Sequence, residues 1–129
     1  RQAGAEYGAA TGRPRRVGPI DLVATRYGVQ IQGATEIALT KLDVLSYMKE
    51  IPVCVQYEIH GQKTDEFPFT AGEARLHDDA RLGLQISGVR KWEDLPVEAR
   101  NYVEYIEKAI GCRISYVSVG ASRDEYIQR

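Results

Sequence analysis

The sequence predicts an α/β fold: a mixed β-sheet with flanking helices and a β-hairpin. Three observations carry that expectation. Apolar residues recur at helical spacing across residues 20–31 and 95–110, residues 36–40 and 113–119 are short apolar runs of strand length, and residues 52–59 alternate up to a turn signal. Helices interleaved with strands and a hairpin imply both parallel and antiparallel pairing. A length of 129 residues fits one domain, or a large piece of one, with a real core.

Residues 1–18 read as a loop, with Gly4, Gly8, Gly12 and Gly18. Gly18-Pro19 resembles a helix start, because proline suits a first helical turn. Ile20, Val23, Ala24, Tyr27 and Ile31 form the apolar stripe, and Gly33 is the stop. Residues 36–40 then form a buried strand that delivers Lys41-Leu42-Asp43 at its carboxyl end. In open α/β sheets, ligands bind outside the carboxyl ends of strands.

Val53, Val55, Tyr57 and Ile59 face one way and Cys54, Gln56 and Glu58 the other, as in a half-buried strand. His60-Gly61-Gln62-Lys63 is the turn, residues 64–67 return as the second strand, and Pro68 ends it. Residues 70–86 are charged and weakly patterned, an exposed helix or a loop. Asp94-Leu95-Pro96 opens the clearest helix, whose stripe is Leu95, Ala99, Tyr102, Val103, Ile106, Ala109 and Ile110, closed by Gly111. Residues 113–119 form a final buried strand ending at Gly120.

A net charge of −1 gives no general argument for nucleic acid or an anionic membrane. The charge is unevenly spread, however. Arg1, Arg13, Arg15 and Arg16 against Glu6 give residues 1–18 a net +3, leaving −4 for the rest and suggesting a local anion site. Cys54 and Cys112 lack a CxxC or Cys/His setting, so no metal site is expected and a reduced, cytoplasmic setting is. No apolar run has membrane-span length, and the polar, glycine-rich start is not expected to be a signal peptide. The first residue is Arg1 rather than Met, so the chain is expected to be cut from a longer one.

Three constellations invite chemistry. The guanidiniums of Gly12-Arg13-Pro14-Arg15-Arg16 match carboxylate or phosphate oxygens bidentately. On composition alone, a solvated basic loop is the commoner outcome for so short a run. In Lys41-x-Asp43, one carboxylate can accept from both N1–H and the exocyclic amine of guanine, donors that adenine does not offer as a pair. The lysine stem can lie along the base while its ammonium stays solvated; an ion pair at a strand end is the plainer alternative. Ser118-Val119-Gly120 can bring backbone amides to a base or sugar edge, although strands often end in glycine. Trp92 is expected to pack at the start of the last helix, His60 and His77 to be solvated, and Cys54 to be a small core residue.

Together the segments resemble one family. Residues 4–16, Gly-Ala-Glu-Tyr-Gly-Ala-Ala-Thr-Gly-Arg-Pro-Arg-Arg, look like the substrate loop of adenylosuccinate synthetases, and Leu39-Thr40-Lys41-Leu42-Asp43-Val44-Leu45 looks like their guanine-binding segment. Residues 21–27, 52–57, 65–68, 87–89, 93–96 and 105–107 match in order, so the likeness runs nearly end to end. It implies a partial P-loop-NTPase-like domain and the carboxy-terminal portion of a GTP-dependent ligase of purine biosynthesis. In that chemistry GTP phosphorylates the 6-oxygen of inosine monophosphate, and the aspartate amine displaces the phosphate to give adenylosuccinate.

By position in the family, Ala9, Ala10, Thr11, Gly12, Arg13, Pro14 and Arg15 would close on aspartate, with Arg13 also touching inosine monophosphate and Arg15 reaching GTP. Lys41, Leu42 and Asp43 on residues 36–43, with Ser118, Val119 and Gly120 on residues 113–120, would hold guanine. The family also implies Mg2+, a cytoplasmic homodimer, and a phosphate loop, catalytic groups and magnesium ligands expected amino-terminal to this chain; no Gly-x-x-x-x-Gly-Lys run occurs here. Pro19-Ile20 replaces a usual Gly-Trp, residues 70–86 lack a usual Pro-Gly-Trp, and Gly120-Ala121-Ser122-Arg123 replaces Gly-Pro-x-Arg. A non-catalytic purine-nucleotide-binding module, or a structural fragment, is the alternative reading.

Overall fold

A computed structural model describes residues 1–68 and 85–129 in full and residues 73–80 as backbone. Among these, the strands are β1 (Ile20–Asp21), β2 (Glu36–Leu39), β3 (Ile51–Ile59), β4 (Gln62–Thr64), β5 (Glu73–Ala80), β6 (Arg113–Ser118) and β7 (Tyr126–Gln128). The helices are α1 (Leu22–Gln32) and α2 (Val97–Ile110). The α/β class with mixed pairing holds, but the strands divide between two sheets. In the first, β3 pairs parallel with β1 and antiparallel with β4 and β5. In the second, β6 lies between β2, parallel to it, and β7, antiparallel to it.

One apolar cluster joins the two sheets. Ala99, Tyr102, Val103, Ile106 and Ile110 of α2 are buried with Ile51 and Val53 of β3 and with Ile114 and Val117 of β6. The stripe read from residues 95–110 is therefore the spine of the core. Ile106 is only 1 % exposed, and truncating such a residue to alanine costs about 2–5 kcal/mol. Gly111 ends α2 at φ 67° and Gly33 ends α1 at φ 61°, left-handed caps that residues with a Cβ adopt poorly.

Several local readings are corrected. Helix α1 starts at Leu22, not at Pro19, because the Asp21 side chain accepts from the Ala24 amide at 2.9 Å and fixes the cap there. The residues before it pair with β3 instead, Ile20 opposite Val53 and Asp21 opposite Cys54. As a result Leu22 enters the core, whereas Ile31 is 68 % exposed. Strand β2 is half-exposed rather than buried; among the described residues it is paired only on its β6 side.

Residues 73–80 are neither helix nor loop but β5, paired along most of β3. Backbone ladders need no apolar alternation, which is why the sequence hid this strand. The remainder of the 70–86 stretch up to residue 84, and the side chain of His77, lie outside the described residues. The hairpin turn forms with positive φ at both His60 and Gly61, and its return strand occupies Gln62–Thr64, ahead of the expected residues 64–67. Cys54 is buried, as expected of a small core residue, and a register shift between Cys54 and Gln56 interrupts the strict alternation read for the strand. Residues 113–119 are not the last strand; β7 follows and pairs back onto β6.

Candidate functional site

The first eighteen residues fold as a tight antiparallel loop. The Gly8 amide donates to the Arg13 carbonyl at 2.8 Å, and the Arg15 amide to the Glu6 carbonyl at 3.0 Å. Between them, the Gly12 amide closes back on the Gly8 carbonyl, with Gly12 at φ 63°. Ala9, Ala10, Thr11, Gly12, Arg13, Pro14 and Arg15 are all exposed on this tip. Among the described residues, only Arg15 of the three clustered guanidiniums has an ionic partner, Glu6 at 3.5 Å. Arg13 and Arg16 therefore keep their donors free for an anion.

Parallel pairing of β2 with β6 sets Leu39 opposite Val117, so the two chains leave the sheet together at their carboxyl ends. The Leu42 amide donates to the Ser118 carbonyl at 3.1 Å. Lys41-Leu42-Asp43 and Ser118-Val119-Gly120, more than seventy residues apart in sequence, are thereby side by side. The Leu42 and Val119 side chains point into the core, at 1 % and 0 % exposure. Their amides are also used, Leu42 by Ser118 and Val119 by the Glu125 carbonyl at 2.9 Å. Both residues shape this corner through backbone position.

Asp43 opens a short 3-10 turn, Asp43–Leu45, and is half-buried. Among the described residues its carboxylate has no hydrogen-bond or ionic partner, so the strand-end ion pair does not form there. Gly120 lies tightly against Glu125: a Cβ on it would fall 2.2 Å from Glu125 Oε2. Glu125 in turn accepts from the Ser122 amide at 2.8 Å and fixes the turn after β6.

Sequence reasoning missed the contact that joins the two halves. Lys41, at the unusual φ of 63°, donates its ammonium to the Gly4 carbonyl at 2.9 Å and to the Glu6 carboxylate. Its head is thus held by the loop rather than left in solvent. The hydrogen bond from Lys41 holds the Glu6 carboxyl below its ordinary value, reinforced by the charges of Lys41 and Arg15 and opposed by desolvation. The only sequence signal for Glu6 was that it is the sole acid among four arginines in residues 1–18. Beside this junction lies an open, mostly apolar cavity of about 490 Å³, lined by residues including Gly4, Glu6, Lys41, Val44 and Met48.

No group of three or more His, Cys, Asp or Glu residues that could hold a metal occurs among the described residues, so no step is assigned to a metal on them. Among them, no helix is long and apolar enough to cross a membrane. Cys54 and Cys112 are buried and form no disulfide among the described residues, and Trp92 packs before α2 with the Arg129 guanidinium 3.9 Å over its ring.

The family model for adenylosuccinate synthetase matches residues 1–127. The chain belongs to the adenylosuccinate synthetase family. The synthetase of Bifidobacterium adolescentis is 44% identical over 133 residues, covering 99% of this chain and 31% of that protein. The synthetase of Micrococcus luteus is 46% identical over 134 residues, again covering 99% of this chain and 31% of that protein. The fully ligated adenylosuccinate synthetase from Plasmodium falciparum superposes with a TM-score of 0.93 at 31% identity, covering all of this chain and 32% of that one. The chain thus spans about a third of the length of these relatives. The fold likeness holds despite Pro19-Ile20 and Gly120-Ala121: Pro19 is exposed and lies just outside β1, and Gly120 packs closely against Glu125.

Proposed function

We propose that this chain supplies the guanine- and aspartate-recognition part of an adenylosuccinate synthetase, which ligates L-aspartate to inosine monophosphate with GTP hydrolysed to GDP and phosphate. The observation that carries the reading is the corner where the Asp43 carboxylate, without a partner among the described residues, stands beside Lys41 and the Ser118-Val119-Gly120 backbone, with a basic loop tied to it. Asp43 accepts from N1–H and the exocyclic amine of guanine, and Lys41 flanks the base. Ser118, Val119 and Gly120 form the pocket wall.

The exposed tip, from Ala9 and Ala10 through Thr11, Gly12, Arg13 and Pro14 to Arg15, closes on aspartate. Arg13 and Arg15 bind carboxylate and phosphate oxygens by charge-assisted bonds, Arg13 on inosine monophosphate as well and Arg15 toward GTP. They also offset charge that develops as the 6-phosphoryl group leaves. The complete enzyme uses Mg2+ held by residues other than those described here, and works as a cytoplasmic homodimer.

The test is adenylosuccinate formation by the complete enzyme that contains this chain. With inosine monophosphate and aspartate saturating, kcat/KM for GTP should exceed that for ATP by about a hundredfold or more, because ATP leaves the Asp43 acceptors unmatched. Equal use of the two nucleotides would exclude a guanine pocket at this corner.

A further inference from the structure

We propose that Glu6 is a positioning residue that couples the arginine loop to the guanine-side segment, so that occupation of one favours occupation of the other. The inference rests on the site reading above. Its own observation is geometric. A single carboxylate takes the Lys41 ammonium on Oε1 and the Arg15 guanidinium on Oε2, the latter at 3.5 Å. The same residue's carbonyl accepts the Arg15 amide at 3.0 Å, and its amide donates to the Arg1 carbonyl at 3.0 Å. Glu6 is the shielded member of the trio: its side chain is 23% exposed, against 60% for Arg15 and 50% for Lys41.

Two features make this more than a surface pair. Lys41 holds a left-handed backbone that non-glycine residues occupy only when their surroundings enforce it. From that backbone its side chain reaches the loop, where the Gly4 carbonyl and Glu6 hold the ammonium. Moreover, Lys41 and Arg15 are like charges that stand close only because one carboxylate lies between them. A change in where Arg15 points therefore alters the hold on Lys41, and Lys41 is two residues from the Asp43 carboxylate. Glu6 touches no substrate atom in this scheme; it acts through Arg15 and Lys41.

The test is made in the complete enzyme with Glu6→Gln, which keeps the shape and removes the charge, and with Glu6→Asp, which keeps the charge and shortens the reach. Glu6→Gln should raise KM for both GTP and aspartate by about tenfold, the effect of losing a charge-assisted contact. The melting temperature should move by no more than about 2 °C. Glu6→Asp should fall between wild type and Glu6→Gln. In an Arg15→Ala background, adding Glu6→Gln should change the aspartate KM less than about threefold, while still raising the GTP KM, because residues that act as one unit are non-additive.

A change in only one of the two constants, or in neither, or full additivity with Arg15→Ala, would overturn the coupling. If Glu6→Gln does not fold, Glu6→Asp carries the same comparison. The nucleotide preference of Asp43→Asn, measured alongside, reports on the guanine assignment alone. A preference switch with a silent Glu6→Gln rejects only the coupling; no switch with both constants raised rejects only the guanine assignment.

Discussion

The amide of Leu42 donates to the carbonyl of Ser118 at 3.1 Å, and this one backbone bond holds together two segments that leave parallel strands at the same end of a sheet. The corner it makes is packed on its apolar side, where Leu42 and Val119 are buried, and open on its polar side, where Asp43 has no partner among the described residues. A base reader needs that combination, because an acceptor held in place discriminates by geometry.

Gly120→Ala should damage the corner through its packing against Glu125. The added methyl would stand 2.2 Å from Glu125 Oε2 and 2.9 Å from Glu125 Cβ, so more than the flexible end of that side chain must move. Overpacking of this kind costs about 1–3 kcal/mol. Thermal denaturation of the complete enzyme should show the loss, and the GTP KM should rise with it. Glu125→Ala placed with Gly120→Ala should recover part of the stability by making room. No recovery would mean that the clash is not the cause.

Within the loop, Arg13→Ala should impair aspartate use most and Arg15→Ala next, each by roughly 1.5–3 kcal/mol, or about ten- to a hundredfold. Arg16→Ala should be milder. The Arg13 guanidinium has no protein partner among the described residues, so its donors remain for substrate, whereas that of Arg15 also serves Glu6. Steady-state kinetics in which Arg16 outranks Arg13 would reverse the assignment within the loop.

The tie between Glu6 and Lys41 has a pH signature. Its Lys41 hydrogen bond depresses the Glu6 carboxyl below the ordinary 4.5. A depressed carboxylate contributes above its unfolded value, and the contribution disappears as pH falls through the lower folded value. The tie should thus be fully present across neutral pH and fail only in acid. A carbon-detected NMR titration should place the Glu6 midpoint below 4.5, and Lys41→Met should move it upward. A midpoint unmoved by Lys41→Met would show that the contact does not persist in solution.

Much of this fold is written locally. The stripe of α2, the glycine caps at Gly33 and Gly111, and the turn at His60-Gly61 each follow from spacing or backbone freedom within a few residues. What escaped was set by partners distant in sequence. Strand β5 is charged and unpatterned, yet it pairs along β3 through backbone bonds that carry no side-chain signature. The three-residue β7 exists because β6 offers it an edge. Pro19 suggested a helix start, but Asp21 supplies the amide acceptor, and its other oxygen receives the Tyr57 hydroxyl from β3.

The site divides the same way. Lys41, Asp43 and the arginines stood out because their residue types suit a base edge and anions, and a family resemblance gave them roles. Glu6 and Glu125 did not stand out: they act on Lys41 across 35 residues and on the space beside Gly120. Neither relation leaves a periodicity or motif.

The guanine reading stands or falls on Asp43, and nucleotide preference tests it most directly. Asp43→Asn replaces one acceptor oxygen with an amide donor that faces a donor of guanine. Xanthine carries a carbonyl where guanine carries the amine, so the same amide can donate to it. One hydrogen bond is reversed, and the ratio of KM for GTP to KM for xanthosine triphosphate should rise in Asp43→Asn by about a hundredfold or more relative to wild type. That ratio, measured in the complete enzyme with inosine monophosphate and aspartate saturating, is the deciding quantity. A large rise places guanine on Asp43; an unchanged ratio, with both nucleotides weakened alike or neither affected, would contradict it.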